Sequence, residues 1–506
     1  MRALLMYPDR DFSLQQELPR HTEALTQDLE LDTLLRAMAG EDEFLLNVAR
    51  AALFSGLQND IDTVLYRQEI VRDCLKHPAV VRQLYDLAVE AIERERKRYF
   101  GFFSHYPAAI LHGSIDLLQM FIGMLRKLKG ITDAQAGRFE SRGFTALFAM
   151  LQKEFSDEYF ARVQEHLTEL KFSAGVLVSA ELGKGNEGTN YVLRQARDSR
   201  ANWLMRMLGK RPPGYTFRIA ERDEAGARAL SELRDRGINL AANALAQSGD
   251  HILSFFQMLR TELAFYVGCL NLHDTLAAKG MSITLPRPQA AGARSLRFSG
   301  LSDVCLALSM EQSIVSNTLD ADGKSLVIIT GANQGGKSSF LRSIGLAQVM
   351  MHCGMFVVAE SFSAELCAAL FTHYKREEDV TMESGKLDEE IRRMSDLADR
   401  VGPDAMLLFN ESFASTNERE GSEIARQVIC ALLERRIKIF FVTHLYGFAH
   451  GFFDRKTDDA IFLRAERQAD GTRTFRLIEG EPLETSYGED LYREVFAPGA
   501  EEVGAE

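Results

Sequence analysis

The fold of the second half of the chain is decided by one stretch, Leu326-Val327-Ile328-Ile329-Thr330-Gly331-Ala332-Asn333-Gln334-Gly335-Gly336-Lys337-Ser338. Its first five residues predict a buried strand, and the rest fits the pattern G-x-x-x-x-G-K-[ST] at the start of a helix. In this order the glycines let backbone N–H groups approach phosphate oxygens, and the helix N-terminus adds its positive dipole end. Lys337 would neutralise the β- and γ-phosphate oxygens, and Ser338 would coordinate Mg²⁺.

Strand and helix signals alternate around this loop, from about residue 301 to 497, which is typical of an α/β domain with a parallel sheet. The segments 461–466 and 474–478 surround Asp470-Gly471 and predict a hairpin. The other strands predicted most strongly are 326–330, 405–409 and 437–443.

Two of these strands end in polar side chains that suit phosphate chemistry. Asn410 and Glu411 follow the strand 405–409, where a phosphate-loop ATPase normally has the acid that organises Mg²⁺. Asn410 stands in the place of that acid, and Glu411 would orient the attacking water. His444 follows the strand 437–443 and would contact the γ-phosphate, because nucleotides bind at the carboxyl edge of such sheets.

The first third of the chain is predicted to be helical. From residue 31 to about 170, apolar residues recur at spacings of three and four. In the segment 60–76 this spacing gathers five apolar residues on one side and leaves three charged ones off it. The apolar residues are Ile61, Leu65, Ile70, Val71 and Leu75, and the charged ones are Asp62, Arg67 and Asp73.

A small β-containing insertion is predicted after residue 171. The β-rich segments 174–182 and 189–193 flank a glycine-rich link, and a third such segment is 215–219. Helix resumes by Ala225, and a heptad-like seam predicts a long helix packed on a partner helix. The seam is formed by Ile252, Phe256, Leu259, Leu263, Tyr266 and Leu270.

Composition limits the class of protein. The 506 residues are 46% hydrophobic and 26% charged, which is typical of a folded globular chain. The net charge of −13 would repel a polyanion, so contact with nucleic acid requires a local basic patch. Residues 191–218 provide one, with seven basic side chains and one acid, and the alternatives are a solvated surface or a protein-binding site.

Other classes of site are not expected. The six cysteines contain no C-x-x-C pair, which disfavours a zinc site and a disulfide framework. We find no secretion signal, and the apolar stretch around 117–125 looks too short to span a membrane. We therefore expect a soluble, cytoplasmic protein without a membrane partner.

Taken together, the motifs of the α/β region resemble the MutS family of DNA mismatch-repair ATPases, while the preceding helices resemble it only loosely. The motifs that follow the family's order are Ser316-Asn317-Thr318, the stretch from Ile329 to Phe340, Ser384-Gly385-Lys386, Asn410-Glu411, the segment from Ser415-Thr416 to Gly421, Thr443-His444 and Ser486-Tyr487-Gly488.

The resemblance implies an ABC-type P-loop ATPase domain that dimerises and uses ATP and Mg²⁺. Each nucleotide would be held by the phosphate loop of one subunit and by a signature segment of the other. Ser384-Gly385 is similar to that signature segment, and the alternative is a simple loop break before a helix. The residues implied to contact the nucleotide are Gly331, Ala332, Asn333, Gln334, Gly335, Gly336, Lys337, Ser338, Ser339, Ser384 and Gly385. Those implied in catalysis are Lys337, Glu411 and His444, and those implied to hold the metal are Ser338 and Asn410.

By the same resemblance, the ATPase domain is preceded by a mostly α-helical lever or core domain with a small β-containing insertion. The predicted divisions are a helical core or lever region (1–170), a clamp-like insertion (171–224), returning lever helices (225–285) and the ATPase domain (286–506). The chain begins close to the helical region, so we expect no counterpart of the family's N-terminal mismatch-reading domain.

The predicted function is ATP binding and hydrolysis coupled to opening and closing on DNA, in mismatch repair or a related repair or recombination process. The DNA would be duplex, mismatched or branched, the assembly a homodimer, and a further repair protein a possible partner. The DNA contacts predicted from the basic patch are Arg200, Arg206, Lys210 and Arg211. The alternative is a nucleotide-switched dimeric scaffold that binds ATP and a protein partner without DNA, which the acidic charge and Asn410 favour; Asn410 also predicts slow hydrolysis.

Overall fold

A computed structural model describes residues 1–15, 21–99, 106–173, 175–194, 218–220, 222–376, 385–468 and 471–483. The chain forms two compact units that alternate along the sequence. We name them the helical unit, formed by Met1–Ala3, Arg82–Phe139 and Thr145–Arg260, and the sheet unit, formed by Leu4–Val81, Glu140–Phe144 and Thr261–Glu506.

The helices and strands are numbered along the chain. The helices are α1 (Thr22–Asp28), α2 (Leu31–Ala39), α3 (Glu43–Gly56), α4 (Ile61–Lys76), α5 (Pro78–Tyr99), α6 (Pro107–Gln135), α7 (Arg142–Glu154), α8 (Asp157–Glu169), α9 (Glu224–Ala278), α10 (Val304–Ser309), α11 (Lys337–His352), α12 (Lys386–Ala398), α13 (Glu418–Glu434) and α14 (Tyr446–Phe453). The strands are β1 (Leu177–Leu182), β2 (Gly188–Arg194), β3 (Arg287–Gln289), β4 (Leu296–Leu301), β5 (Asn317–Asp320), β6 (Leu326–Thr330), β7 (Ser361–Glu365), β8 (Leu370–Tyr374), β9 (Met406–Asn410), β10 (Lys438–Val442), β11 (Ala460–Arg467) and β12 (Arg473–Glu479).

The sheet unit is built on a six-stranded sheet in the order β12-β11-β6-β10-β9-β8. Its neighbouring strands are parallel except for β12, which returns antiparallel beside β11. Every residue of β6, β8 and β10 is buried, because helices cover a parallel sheet on both faces. The α/β domain, its central strands and the hairpin at its edge are therefore confirmed.

The strand order brings three strand ends together. In β10, Val442 pairs with Ile329 of β6 on one side and with Asn410 of β9 on the other. The strands are parallel, so their carboxyl ends lie at the same edge of the sheet. The phosphate loop, the Asn410-Glu411 pair and Thr443-His444 all follow these ends.

A second sheet in the same unit has the order β3-β7-β4-β5. Phe298 of β4 stacks on Phe362 of β7, with ring centroids 5.9 Å apart, and lies 6.1 Å from Phe340 of α11. Aromatic packing of this kind buries a large apolar area. It supports the helix that begins at Lys337.

Residues 5–12 pack into the core of the sheet unit. The carboxylate of Glu262, on α9, accepts hydrogen bonds from the backbone N–H groups of Leu5, Met6 (2.8 Å) and Phe12 (3.0 Å). Burial raises the pKa of Glu262 and the three N–H donors oppose that rise. The hydroxyl of Tyr266 also donates to the carbonyl of Leu5 (2.5 Å).

In helix α4 the burial of three side chains differs from the prediction for the segment 60–76. The side chains of Arg67 and Asp73 are buried, with 0% and 1% exposure, while Leu65 is 40% exposed. The Nε of Arg67 donates to the carbonyl of Met6 (2.9 Å), and Asp73 accepts from the backbone N–H of Ser141 (2.7 Å). These partners offset part of the cost of burying the charges, although Nη1 and Nη2 of Arg67 have no hydrogen-bond partner among the described residues. The spacing of apolar residues did not show this burial.

The hairpin of β1 and β2, in the helical unit, and the long helix α9, whose residues are divided between the two units, match the prediction. Each residue of the predicted seam on α9 is buried. Within the helical unit, Phe256 of α9 stacks on Phe121 of α6 with ring centroids 6.0 Å apart, so the seam does face a partner helix. The predicted strand at 215–219 lies outside the described residues as far as position 217.

Helix α6 is long and apolar enough to cross a membrane when only length and composition are considered, within the described part of the chain. The apolar stretch around 117–125, which looks too short in the sequence, therefore belongs to a helix that is long enough by this criterion. A core helix of a globular protein has the same two properties, and Leu118, Phe121 and Leu125 of α6 are buried in the protein.

Candidate functional site

The phosphate loop connects β6 to α11, as the sequence predicts. Gly331 and Gly336 have positive φ angles of 110° and 86°, which side-chain-bearing residues rarely adopt. A Cβ atom on Gly331 would lie 2.8 Å from the backbone nitrogen of Ala465, and one on Gly335 would lie 2.6 Å from the Cβ of Ala465. Strand β11 thus packs so closely on the loop that glycine is required at both positions.

The side chain of Lys337, the first residue of α11, is buried against the loop that precedes it. Its Nζ donates to the carbonyls of Gly331 (2.9 Å) and Ala332 (2.8 Å). Burial lowers the pKa of Lys337 to about 8, the nearby Glu411 carboxylate opposes this, and Arg473 adds to it. An anion bound in the loop would therefore stabilise the charged ammonium of Lys337.

Ser338 and Asn410 meet across the strand ends. The hydroxyl of Ser338 donates to the amide oxygen of Asn410 at 3.2 Å. A hydroxyl and an amide oxygen are both hard donors of the kind that Mg²⁺ accepts, directly or through its bound waters. The two residues predicted to hold the metal are therefore together and fit it chemically, with one negative charge fewer than an aspartate would supply.

Glu411 and His444 form the second pair at the same edge. The Nε2 of His444 lies 3.0 Å from Oε1 of Glu411. This hydrogen bond lowers the pKa of Glu411, burial opposes the shift, and the charge of Lys337 supports it. Glu411 is therefore a carboxylate at neutral pH, which is the form that a general base requires.

The backbone at Glu411 adopts a left-handed conformation, with a φ of 55°, and Phe413 repeats this with a φ of 63°. Non-glycine residues pay for such a conformation, so surrounding contacts must hold it. The N–H of Glu411 donates to the carbonyl of Val442 (2.9 Å). A Cβ on Gly421 would lie 2.4 Å from the carbonyl oxygen of Phe413, so α13 also abuts this turn.

A buried network that sequence reasoning missed holds the residues after Glu411. Oε1 of Glu390, on α12, accepts from the backbone N–H of Phe413 at 2.6 Å. The hydroxyl of Ser412 lies 2.6 Å from the carbonyl oxygen of His373 and 2.7 Å from its Nδ1, and Nε2 of His373 lies 3.3 Å from the carbonyl oxygen of Glu390. Burial lowers the pKa of His373 to about 4, so its ring is neutral at pH 7. No local motif marks this network.

The loop borders a cavity of about 590 Å³. One wall is phosphate-binding in character and runs from Asn333 to Ser339, with Glu411 beside it. The rest of the lining combines polar side chains with apolar ones. The polar ones are Asp303, Gln312, Ser313 and Asn317, and the apolar ones are Leu301, Leu306, Met310, Ile314, Val315 and Phe475. Phe475 was not singled out from the sequence, and its position in β12, 47% exposed, provides a flat apolar surface at the rim.

Other predicted site residues are placed only in part. Gly385 directly precedes α12, and a Cβ on it would meet no atom of the described residues within 4 Å. Ser384, with Ser486-Tyr487-Gly488, lies outside the described residues. So do the predicted DNA contacts Arg200, Arg206, Lys210 and Arg211.

Both halves of the chain match models of known families. Residues 59–279 match the model described as the MutS2 N-terminal domain, and residues 327–500 match the model described as MutS domain V. The second model is an ABC-type ATPase domain, in agreement with the sheet order and the phosphate loop. The first model matches the helical region, whose sequence by itself resembled the family only loosely.

Curated relatives are similar to the chain over part of its length. MutS protein homolog 4 of Mus musculus is 24% identical over 265 residues, which cover 51% of this chain and 26% of that protein. DNA mismatch repair protein MutS of Leptospira interrogans is 25% identical over 274 residues, with 51% and 31% covered. Endonuclease MutS2 of Thermus thermophilus is 29% identical over 180 residues, with 35% and 23% covered. The chain spans less than a third of the length of these relatives. Two matching models and several relatives agree on one assignment, and the chain belongs to the MutS family.

Proposed function

We propose that the sheet unit binds and hydrolyses ATP, and that nucleotide binding drives opening and closing on DNA. The observation that carries the proposal is the arrangement at one edge of the sheet. Lys337 lies in the phosphate loop, Ser338 contacts Asn410 at 3.2 Å, and Glu411 contacts His444 at 3.0 Å. Each pair joins residues from different strand ends, and each has the chemistry that phosphoryl transfer needs.

The roles follow from the contacts. The loop N–H groups and Lys337 bind the phosphates, and the carboxylate of Glu411 orients the attacking water and accepts its proton. His444 holds that carboxylate and would lie beside the terminal phosphate. Ser338 and Asn410 would hold Mg²⁺, which supplies positive charge to the β- and γ-phosphate oxygens. The apolar side chains of the cavity, with Phe475 at its rim, suit the adenine ring.

Asn410 makes this site weaker for Mg²⁺ than one with a carboxylate at the same position. The amide oxygen keeps the hydrogen bond to Ser338 and lacks a full negative charge. Slow turnover is the expected consequence.

The coupling to DNA rests on the family and on the basic segment. The relatives include proteins named for DNA mismatch repair and for endonuclease activity. In this chain the contacts would be Arg200, Arg206, Lys210 and Arg211, in a homodimer whose signature segments, Ser384-Gly385, face the partner's nucleotide. ATP can close such a dimer only by the difference in its affinity for the closed and open states. The domain divisions, the repair-protein partner and the cytoplasmic location stay predictions.

A dimeric scaffold that binds ATP and a protein partner without DNA is the second candidate. The neutral amide at Asn410 and the net charge of −13 favour it. In that case ATP would bind and persist, and no DNA would change its turnover.

The test is ATP turnover by the purified chain with and without duplex, mismatched and branched DNA, beside Lys337→Ala. Stimulation by one form of DNA, absent in the variant, supports the DNA-coupled ATPase. A salt titration then checks direct contact, because phosphate contacts weaken steeply as salt rises. Binding of ATP without turnover or DNA response supports the scaffold, and no ATP binding at all refutes both.

A further inference from the structure

The hairpin of β11 and β12 lies directly on the phosphate loop. Ala465 of β11 approaches Gly331 and Gly335 so closely that a Cβ on either would clash, as described above. On β12, the carbonyl oxygen of Phe475 would lie 3.3 Å from a Cβ on Gly336. Side chains near Phe475 on β12 are therefore carried to the mouth of the site.

Strand β12 is held in this position by Asn317 of β5. The amide oxygen of Asn317 accepts from the N–H of Leu477 (2.8 Å), and its Nδ2 donates to the carbonyl of Phe475 (3.4 Å). Antiparallel pairing with β11 places Arg467 opposite Arg473. The hydrogen bonds to Asn317 and the pairing with β11 together hold the part of β12 that carries Arg473.

The guanidinium of Arg473 reaches the apex of the loop. Its Nη1 donates to Oε1 of Gln334 at 2.9 Å, and Gln334 lines the cavity. A guanidinium carries five N–H donors, and here the one on Nε is buried and has no acceptor among the described residues.

We propose that Arg473 is a second cationic contact for the terminal phosphate of the bound nucleotide, held at the loop by Gln334. This inference rests on the proposed ATP site and adds to it a residue that distinguishes triphosphate from diphosphate. An arginine fork suits phosphate oxygens because it can donate two parallel hydrogen bonds.

The charges around the loop support the assignment. Two cationic side chains contact the same loop: Lys337 donates to the carbonyls of Gly331 and Ala332, and Arg473 donates to the side chain of Gln334. Two cations near one carboxylate, that of Glu411, leave an excess of positive charge in a partly buried site. A bound phosphate group neutralises that excess, and ATP, which has the additional terminal phosphate, carries more negative charge than ADP.

The test compares the affinities for Mg²⁺-ATP and for ADP in the full chain and its variants, by calorimetric titration. In Arg473→Gln we expect ATP binding about tenfold weaker, as for loss of one charge-assisted hydrogen bond, and ADP binding nearly unchanged. Arg473→Lys keeps the charge without the fork and should lie between the two. Arg476→Gln is the matched control, because Arg476 is exposed on the same strand and its substitution removes an equal charge.

An unchanged ratio of ATP to ADP affinity in Arg473→Gln overturns the proposal, whether both affinities stay the same or both fall equally. An equal fall would mean that Arg473 only supports the loop. Failure of the ATP site itself gives a different result. Either the unmodified chain binds neither nucleotide, or Lys337→Ala binds ATP as tightly as the unmodified chain. Each of these outcomes overturns both proposals.

Discussion

Replacing Glu390 by alanine is expected to slow ATP hydrolysis while leaving ATP binding nearly intact. Glu390 contacts neither the phosphate loop nor the cavity. Its carboxylate holds the backbone N–H of Phe413 at 2.6 Å, two residues beyond Glu411. The change therefore acts on the turn that places the general base, while the loop that binds the phosphates is untouched.

The magnitude follows from what is lost. A hydrogen bond to a charged group contributes about 1.5–3 kcal/mol, and its removal leaves the N–H of a fully buried residue without its acceptor. The left-handed turn from Glu411 to Phe413 then loses one of the contacts that hold it. A shift of about 1 Å in a catalytic group can cost about 100-fold in rate. We expect kcat to fall about 10- to 100-fold, with the Kd for ATP changed by less than about threefold.

The assay is steady-state turnover together with nucleotide titration. Glu390→Gln keeps an oxygen acceptor of similar geometry and should recover much of the rate. Asp388→Ala is the control on the same helix, because Asp388 is exposed and its pair with Arg392 (2.9 Å) contributes little. A normal kcat in Glu390→Ala, or a loss of kcat and affinity in equal measure, would refute the reasoning.

Three further predictions concern the loop and its metal. Above pH 8 the affinity for ATP should fall by up to about tenfold per pH unit, because Lys337, with its pKa at about 8, loses the charge that binds phosphate; a flat titration between pH 7 and 9.5 contradicts this. Gly331→Ala should abolish ATP binding through its clash with Ala465, whereas Gly323→Ala, also at positive φ but with open space around it, should cost only about 1 kcal/mol of unfolding free energy and leave binding unchanged. Asn410→Asp should lower the Mg²⁺ concentration needed for half-maximal turnover, and an unchanged Mg²⁺ dependence would show that the side chain does not face the metal.

The parts of the site that could be predicted are those whose chemistry is local. The phosphate loop requires glycines next to a lysine and a hydroxyl, and the segment from Gly331 to Ser338 contains all of them in sequence. The pair Asn410-Glu411 follows an apolar run, so its place at a strand end was visible as well. That Ser338 meets Asn410 and His444 meets Glu411 follows from the sheet order, which puts β10 between β6 and β9.

The parts that could not be predicted depend on partners distant in sequence. Arg67 was placed off the apolar side of its helix, yet it is buried because Met6 and Tyr7 supply a carbonyl and an aromatic face, the ring of Tyr7 lying 4.6 Å from the guanidinium carbon. Apolar spacing assigns any charged residue to the solvent side unless its partner is known. The same reason hid Glu390, whose acceptor role depends on a backbone N–H 23 residues away.

The turn that carries Glu411 is held by three contacts, two from residues of the quoted motifs, His444 and Gly421, and one from Glu390, which no motif contains. His444 contacts the carboxylate of Glu411 itself, Glu390 holds the N–H of Phe413, and Gly421 lets α13 approach the carbonyl of the same residue. Since two of the three contacts are made to the backbone, most side-chain changes in Glu411's neighbours along the chain would not disturb them. The phosphate loop identifies the class of ligand, and in the proposed mechanism the rate of hydrolysis depends on α12 and α13. Because α12 begins directly after Gly385, a contact that moves Gly385 would also act on the turn that carries Glu411.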